Sequence, residues 1–324
     1  MVSGSFFQSS GFKIIVFITG TILLGGLLAP PLYWGGKFLV AQETLKGGWL
    51  ESIHDSMERG LFSRYFNRAI LLGALLMLWP TLKWMSGGEK RKLSFLERFE
   101  LKPNPRWWVH LLIGFVAAGG LLLLLGWIYV SLGLYKNIPS QKSLVSILLG
   151  ALGTGIAVGL LEEFVFRGAL YAVMGKIMKP KTLFISIAVF FALVHFLKPP
   201  HPLVIDEVTA GTGFWMLGQI FGQFGDPAFL AAEFAVLFAI GLVLGYTRMK
   251  TASLWLGIGL HAGWVFGVKV LSSLTIRDFK SGEMMPWLGN NLRVGAVSCL
   301  VVCATGFLIW LWLRRNPRNP FAEA

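Results

Sequence analysis

Three charged residues lie close together in an otherwise apolar stretch, LLEEFVFR at positions 160–167: Glu162, Glu163 and Arg167. A charge near the centre of a bilayer costs about 2.5–3.5 kcal/mol on insertion scales, so a membrane helix seldom carries three charges for structural reasons alone. On a helix, Glu163 and Arg167 are four residues apart and can form an ion pair, whereas Glu162 points about 100° away. The spacing therefore predicts one ion pair and one carboxylate available for chemistry.

Two histidines lie in later apolar stretches. His195 follows a turn near residues 179–180. If the helices on either side of that turn form an antiparallel hairpin, Glu162 and His195 lie at about the same depth, roughly 20 Å from the inner end. His261 lies about 12–15 Å into a later span. One carboxylate and two histidines from three spans can therefore meet inside the membrane.

Together these side chains could hydrolyse a peptide bond. Glu162, sharing a proton with His195, could activate a water molecule as a general base. His261 could donate a hydrogen bond to the developing oxyanion, which is a large electrostatic contribution in acyl transfer. No serine or cysteine nucleophile is needed for such a reaction.

Other interpretations of the same residues stay open. Glu162, His195 and His261 could hold a zinc ion, although the sequence has no His-Glu-x-x-His motif with its short ligand spacing. A buried glutamate and histidine can also relay protons in a transporter, but no inverted repeat indicates one. The pair Glu163–Arg167 could be purely structural, and membrane histidines often only join helices.

The motifs resemble those of the CPBP family, which comprises CAAX prenyl endopeptidases and bacteriocin-processing-related membrane proteins. The resemblance covers roughly residues 144–268. It is carried by Glu-Glu-x-x-x-Arg (residues 162–167), by Phe-x-x-x-His (Phe191 and His195) and by a third histidine, His261. It implies a helical intramembrane endopeptidase that cleaves a membrane-associated protein or peptide without a cofactor.

The resemblance also implies a role for each residue. Glu162 and His195 would activate the water, and His261 would stabilise the oxyanion. Glu163, Arg167 and Phe191 would be supporting residues.

The third motif departs from the family pattern. The family commonly has an asparagine four residues after the third histidine, where this chain has Val265. A valine side chain cannot donate a hydrogen bond, and the loss of one oxyanion donor typically lowers the rate about 10²–10³-fold. This departure favours a slower enzyme, a substitute donor, or a non-catalytic partner or immunity protein built on the same scaffold.

The composition indicates the elements that must position these residues. Apolar residues make up 55% of the 324 residues and charged residues only 14%, which is typical of a polytopic all-α membrane protein rather than a soluble one. The net charge of +13 lies in the connections between spans, where it meets anionic lipid, and does not indicate nucleic-acid binding. Two cysteines within one apolar run predict no disulfide framework.

About eight transmembrane helices are predicted. The windows long enough to cross a bilayer, about 20 residues each, lie near 12–34, 66–84, 107–133, 144–175, 181–197, 228–247, 252–271 and 292–313. With the N-terminus inside, inner connections carry 16 Lys and Arg residues, Arg248 among them, and outer connections carry 12. The positive-inside rule therefore predicts both termini in the cytoplasm, most simply at the plasma (inner) membrane.

Two connections have patterns of their own. Within residues 49–66, apolar positions recur every three or four residues and charged positions lie between them, which predicts an amphipathic helix at the membrane interface. Residues 198–226 are rich in proline and glycine and predict a long loop, with a lid as the alternative. The chain is thus predicted to consist of N-terminal spans with the interfacial helix and a basic cytoplasmic loop (1–106), and a membrane bundle (107–324).

Overall fold

The computed structural model describes residues 10–42, 51–85, 99, 101–140, 142–175, 178–197, 203, 205–222, 227–280, 283–289 and 294–315. Within these ranges the chain is almost entirely helical. The N-terminal helices are α1 (Ser10–Ala41), α2 (Glu51–Glu58), α3 (Phe62–Met85) and α4 (Trp107–Ser131). They are followed by α5 (Leu144–Glu163), a π-helical segment (Phe164–Leu170), α6 (Tyr171–Gly175), α7 (Pro180–His195) and α8 (Thr212–Gly222). The last helices are α9 (Pro227–Thr251), α10 (Trp255–Leu274) and α11 (Ala296–Arg315).

Among the described residues, six helices are long and apolar enough to cross a membrane: Gly11–Ala41, Trp107–Ser131, Leu144–Gly175, Leu230–Thr251, Trp255–Leu274 and Ala296–Arg315. The class of all-α membrane protein is confirmed, but the number of eight spans is not. The window at 181–197 falls on α7, whose 16 residues rise only about 24 Å, less than the roughly 30 Å of a hydrocarbon core. The window at 66–84 falls on α3, which carries Arg64, Arg68 and Lys83 near its ends.

The described chain divides into two compact units. One comprises Met1–Arg91 and Val194–Gly225, and the other comprises Lys92–Leu193 and Asp226–Ala324. In the second unit, α10 is the central helix: 67% of its most apolar stretch is buried, against 22–39% for the other candidate spans. It packs along α4 on one side and along α5 on the other.

Small residues let α5 approach the backbone of α10. A Cβ atom on Gly155 would lie 2.6 Å from the Ala262 carbonyl oxygen, and one on Gly159 would lie 3.2 Å from the Ala262 nitrogen. Glycines four residues apart allow this close packing of membrane helices. Because Glu163 is the next residue at the same spacing, the glycine stripe brings its carboxylate against α10.

The first unit has its own apolar core. Ala29 of α1, Phe66 of α3, and Met216 and Ile220 of α8 are fully buried there. The connection predicted as a loop at 198–226 therefore contains a helix, and that prediction is wrong for Thr212–Gly222. Met216 and Ile220 are four residues apart, which gives α8 an apolar face to bury.

The interfacial helix predicted near 49–66 is shorter than expected. It ends at Glu58, the chain turns at Arg59 and Gly60, and a new helix begins at Phe62. Glycine has a low helix propensity, which favours a break at Gly60. The side chain of Lys37 in α1 donates to the Glu58 carbonyl oxygen at 2.6 Å and so caps the end of α2.

Two short strands join helix ends in the second unit. β1 (Tyr135–Asn137) follows α4, and β2 (Thr275–Arg277) follows α10 directly. They pair antiparallel, with Tyr135 opposite Arg277. Because the strands tie the ends of α4 and α10 together, they help to fix the register in which α10 lies in the unit.

Candidate active site

Glu163 and Arg167 form the ion pair that their spacing predicts. The Arg167 Nη1 donates to Glu163 Oε1 at 2.9 Å, and the two side chains are 0% and 1% exposed, respectively. A buried pair of opposite charges is stable only when further polar groups complete its hydrogen bonds. The surroundings of Arg167 provide some of these contacts.

Arg167 is held from two further directions. Its Nη2 donates to the Gly241 carbonyl oxygen of α9 at 3.3 Å. Its guanidinium group lies 4.4 Å from the ring centroid of Phe191, which is itself 1% exposed. A planar cation over an aromatic face, sealed from solvent, is a favourable contact. Phe191, predicted as a supporting residue, therefore contacts the ion pair directly.

His261 lies between the two glutamates. Its Nδ1 is 3.2 Å from Glu163 Oε1, and its Nε2 is 3.6 Å from Glu162 Oε2. An ionised carboxylate can only accept hydrogen bonds, so the Nδ1–H donates to Glu163 and the ring orientation is fixed. The contact directs Nε2 towards Glu162. The sequence predicted that His261 joins the site, but not that Glu163 would hold it.

The two neighbouring glutamates have different surroundings. The Glu163 side chain is 1% exposed, whereas that of Glu162 is 24% exposed. The 3.6 Å between His261 Nε2 and Glu162 Oε2 is longer than a hydrogen bond. A water molecule can lie about 2.8 Å from both, donating to the carboxylate and accepting from the imidazole. The arrangement thus has a fully buried carboxylate and a partly exposed one.

His195 is the last residue of α7 and is half-buried. The boundary between the two compact units falls before Val194, so His195 belongs to the first unit and Glu162 and His261 to the second. On α7 it follows Phe191 by four residues and so lies on the same face of the helix. Its part in the chemistry remains a prediction.

A π-helical segment begins directly after Glu163 and includes Arg167. Such segments are rare and are frequent at functional sites, because they change the direction of the side chains that follow. The sequence pattern does not predict this segment. The stretch reads as a continuous helix because it contains no proline and keeps its apolar pattern.

Arg248 is a buried residue that the sequence pattern does not reveal. The pattern places it among the cations of an inner connection, yet it is only 4% exposed. Its Nε donates to the Arg167 carbonyl oxygen at 3.1 Å, and its Nη2 donates to the Phe99 carbonyl oxygen at 3.0 Å. Its guanidinium group lies 4.8 Å from the ring centroid of Tyr171. Arg248 therefore connects α9 to the π-helical segment, to Tyr171 just after that segment, and to Phe99.

Gly257 is the second missed residue. A Cβ atom at this position would lie 2.7 Å from Glu163 Oε2. Only glycine leaves room for the carboxylate beside the backbone of α10. A signal was present in the two glycines ahead of His261, Gly257 and Gly259, but a sequence cannot show which of them faces a charge.

The described residues of the second unit include no three His, Cys, Asp or Glu side chains whose ligand atoms all lie within 4.8 Å of one another. Glu162, Glu163 and His261 form a chain of contacts rather than a cluster around one point. Val265 lies one turn beyond His261 and is half-buried.

Residues 144–267 match the family model for the Rce1-like group, described as type II CAAX prenyl endopeptidase Rce1-like. The matched segment begins with α5 and ends within α10, and it contains every predicted site residue. The match supports membership of the CPBP family for this segment, and at the level of the family it supports an intramembrane endopeptidase of the CAAX type. Comparison with curated proteins and with solved structures gave no match.

Proposed function

We propose that the protein is a glutamate-dependent intramembrane endopeptidase whose general base is Glu162. The observation that carries the proposal is the chain of contacts from Arg167 through Glu163 to His261, which ends at the partly exposed Glu162. Two buried groups, Glu163 and the Arg167 behind it, fix one imidazole, and that imidazole faces a partly exposed carboxylate. Such preorganisation is a common source of catalytic power.

The proposed reaction is the hydrolysis of one peptide bond. Glu162 takes a proton from a water molecule, and the hydroxide oxygen attacks the carbonyl carbon. The negative charge moves to the carbonyl oxygen, where His261, protonated on both ring nitrogens, donates from Nε2. The proton on Glu162 then passes to the leaving nitrogen, the C–N bond breaks, and a carboxylate and an amine result.

His195 has the second part in the proposal. It would orient the attacking water or share its proton, as the family resemblance implies. The support from this chain is the position of His195 on the same helical face as Phe191, which contacts both Arg167 and His261. The substrate would be a protein or peptide associated with the membrane.

The proposed membrane and the proposed orientation of the chain in it are inferred from the sequence pattern. The candidate spans and the family support an integral membrane protein. The distribution of Lys and Arg favours cytoplasmic termini at the plasma (inner) membrane.

Comparative membrane proteomics tests the proposed function. Cells with the wild-type protein should contain at least one membrane protein with a trimmed terminus, and cells with Glu162→Gln should accumulate its untrimmed form. Glu207→Gln, the same substitution at an exposed position in the other unit, is the control and should behave as wild type. An unchanged set of termini in the inserted Glu162→Gln protein would support the non-catalytic interpretation.

The zinc alternative is tested on the same material. Metal analysis of the purified protein should show no stoichiometric zinc, and a chelator should leave trimming intact. Loss of trimming with the chelator, restored by zinc alone, would replace the glutamate mechanism with a metal-dependent one.

A further inference from the structure

The two oxygens of the Glu163 carboxylate have different neighbours. Oε1 accepts from Arg167 Nη1 at 2.9 Å and lies 3.2 Å from His261 Nδ1. Oε2 lies against the backbone of α10, where a Cβ atom on Gly257 would be only 2.7 Å away. One oxygen therefore contacts both Arg167 and His261, and the other is fitted against a residue that has no side chain.

Gly257 lies in the first turn of α10. The hydrogen bonds of this helix begin with the one from the Ile258 N–H to the Leu254 carbonyl oxygen, at 2.8 Å. The N–H groups ahead of Ile258 therefore lie at the positive end of the helix dipole, where a negative charge is stabilised. Because Gly257 has no Cβ atom, the Glu163 carboxylate can come close enough to α10 for the dipole to act on it.

The groups around Gly257 are fixed on both sides. A carboxylate at the end of a free side chain would rotate away from a new methyl group, but this one is held by Arg167 and His261. On the other side, Thr247 Oγ1 would lie 3.4 Å from the same Cβ atom. Thr247 is fully buried, and its hydroxyl donates to a carbonyl oxygen of its own helix at 2.8 Å. A side chain at position 257 therefore finds no neighbour that yields freely.

An alanine at position 257 would displace the Glu163 carboxylate. Oε2 would have to retreat from α10 by roughly 0.7 Å before the contact with the new Cβ atom became an ordinary van der Waals contact. Since His261 belongs to the same helix, one turn further on, the same movement would lengthen its 3.2 Å contact with Oε1 beyond hydrogen-bond distance. The imidazole would then lose the acceptor that fixes its orientation.

We propose that Gly257 is a positioning residue for the proposed reaction. Its lack of a side chain sets the distance between the Glu163 carboxylate and α10, and that distance sets the orientation of His261. The inference rests on the proposed endopeptidase function and concerns the same site. It assigns to a residue that touches no substrate a specific effect on the rate of the chemical step.

The kinetics of Gly257→Ala in the reconstituted protein test this role. We expect kcat to fall about 10²-fold, which is the cost of a misplacement of about 1 Å at a reacting site. KM should stay near the wild-type value, because no group that binds the substrate is changed. Glu163→Asp shortens the side chain and should lower kcat by a similar factor. Because both substitutions break the same contact, the double variant should be no slower than the slower single variant.

Gly267→Ala is the matched control. It is the same substitution in the same helix, and its Cβ atom would lie 2.9 Å from Cδ2 of Leu122, which is the end of an apolar side chain. This variant should keep the wild-type kcat. An equal fall in kcat would show that any added methyl group in α10 disturbs the site, and it would overturn the proposal. A wild-type kcat in folded Gly257→Ala protein would overturn it too.

The double variant also covers the case in which Gly257→Ala alone does not fold. The shorter side chain of Glu163→Asp relieves the clash, so Gly257→Ala combined with Glu163→Asp should recover a cooperative unfolding transition in detergent. A double variant that stays unfolded would place the clash somewhere other than the carboxylate and would contradict the proposed role of Gly257.

Proton NMR of the protein with isotope-labelled histidine separates this proposal from the proposed function. The Nδ1–H signal of His261 should be protected from solvent exchange in the wild type and in Gly267→Ala, and it should be lost in Gly257→Ala. A signal that persists in Gly257→Ala would overturn the positioning role, whether or not the protein cleaves peptides. An absence of Glu162-dependent cleavage would instead refute the proposed function, while the NMR signal still decides whether Gly257 positions His261.

Discussion

At the scale of single residues, two adjacent glutamates in one helix lie in different environments. Glu163 is bound by Arg167 and His261, and Glu162 is left beside the Nε2 of that histidine with part of its surface open. The helical spacing of residues 162, 163 and 167 predicts the ion pair. It does not reveal that Glu163 also orients His261, because that contact joins helices almost a hundred residues apart.

The ion pair should show strong coupling in a double-mutant cycle. Glu163→Gln leaves the Arg167 charge buried without its partner, and we expect a loss of about 3–5 kcal/mol in the free energy of unfolding. Arg167→Met should cost a similar amount. The double variant removes both charges, so it should be more stable than the sum of the single effects predicts.

Unfolding of the purified variants in detergent provides the measurement. Additive losses in the double variant would show that the two residues do not act as a pair. Asp55 and Arg59 form an exposed pair with the same spacing, at 2.9 Å, and make a suitable control. A cycle there should show coupling of only about 0.3–0.5 kcal/mol.

Val265 provides a prediction of increased activity. If the reaction lacks the second oxyanion donor that the family pattern has at this position, Val265→Asn should supply it and raise kcat, by up to about 10²-fold. KM should change little, because the new hydrogen bond forms mainly in the transition state. The measurement is kcat on a substrate found by proteomics, with Val265→Leu as the apolar control.

An unchanged or lower kcat in correctly folded Val265→Asn protein would mean that the oxyanion is bound elsewhere. The donor would then come from a group other than residue 265. His261→Gln would still be expected to lower kcat, since the contact of His261 with Glu163 directs its ring towards the reacting atoms.

At the scale of elements, the site depends on the π-helical segment and on the helix that supports it. The residues Phe164–Leu170 depart from α-helical geometry directly beside the ion pair. Arg248, from the end of α9, donates to the Arg167 carbonyl oxygen and to that of Phe99. We therefore regard Arg248 as a positioning residue for the segment.

Arg248→Met should lower activity without removing any group that touches the substrate. We expect kcat to fall and KM to stay near the wild-type value, because the displaced Arg167 and Glu163 no longer orient His261. Arg248→Lys keeps the charge but cannot make both hydrogen bonds from one planar group, so it should rescue little. Lys250→Met, at an exposed neighbouring position of α9, is the control.

Hydrogen exchange distinguishes this role from a general loss of stability. In Arg248→Met, the amides of residues 164–170 should exchange faster, while those in the centre of α4 should be unchanged. Uniformly faster exchange would assign Arg248 to global stability, and unchanged exchange with full activity would contradict a positioning role.

At the scale of the whole molecule, the composition of the sequence predicts the class of all-α membrane protein, and its motifs predict where the site residues lie along the chain. The predicted window 144–175 coincides with the continuous helix Leu144–Gly175. The length of an apolar stretch and the spacing of residues 163 and 167 are features of a single helix, so both can be read directly from the sequence. The family match over 144–267 agrees with the segment that the motifs indicate.

The features of the fold and of the site that the sequence could not predict depend on tertiary contacts. The burial of Arg248 arises from neighbours in α6 and at Phe99, which are distant in the chain. The need for Gly257 arises from a carboxylate on another helix. The helix at Thr212–Gly222 depends on packing inside the first unit, whereas the local pattern predicted a loop there.

The most direct test of the account is the rate of peptide-bond cleavage by purified, reconstituted protein with glutamine in place of Glu162. The assay uses the substrate identified by proteomics, with a chelator present and with the variant shown to be folded by its unfolding transition. The account predicts that the wild type cleaves in the presence of the chelator and that kcat of Glu162→Gln falls at least about 10²-fold, as expected for the loss of a general base. A variant that cleaves at the wild-type rate would contradict it.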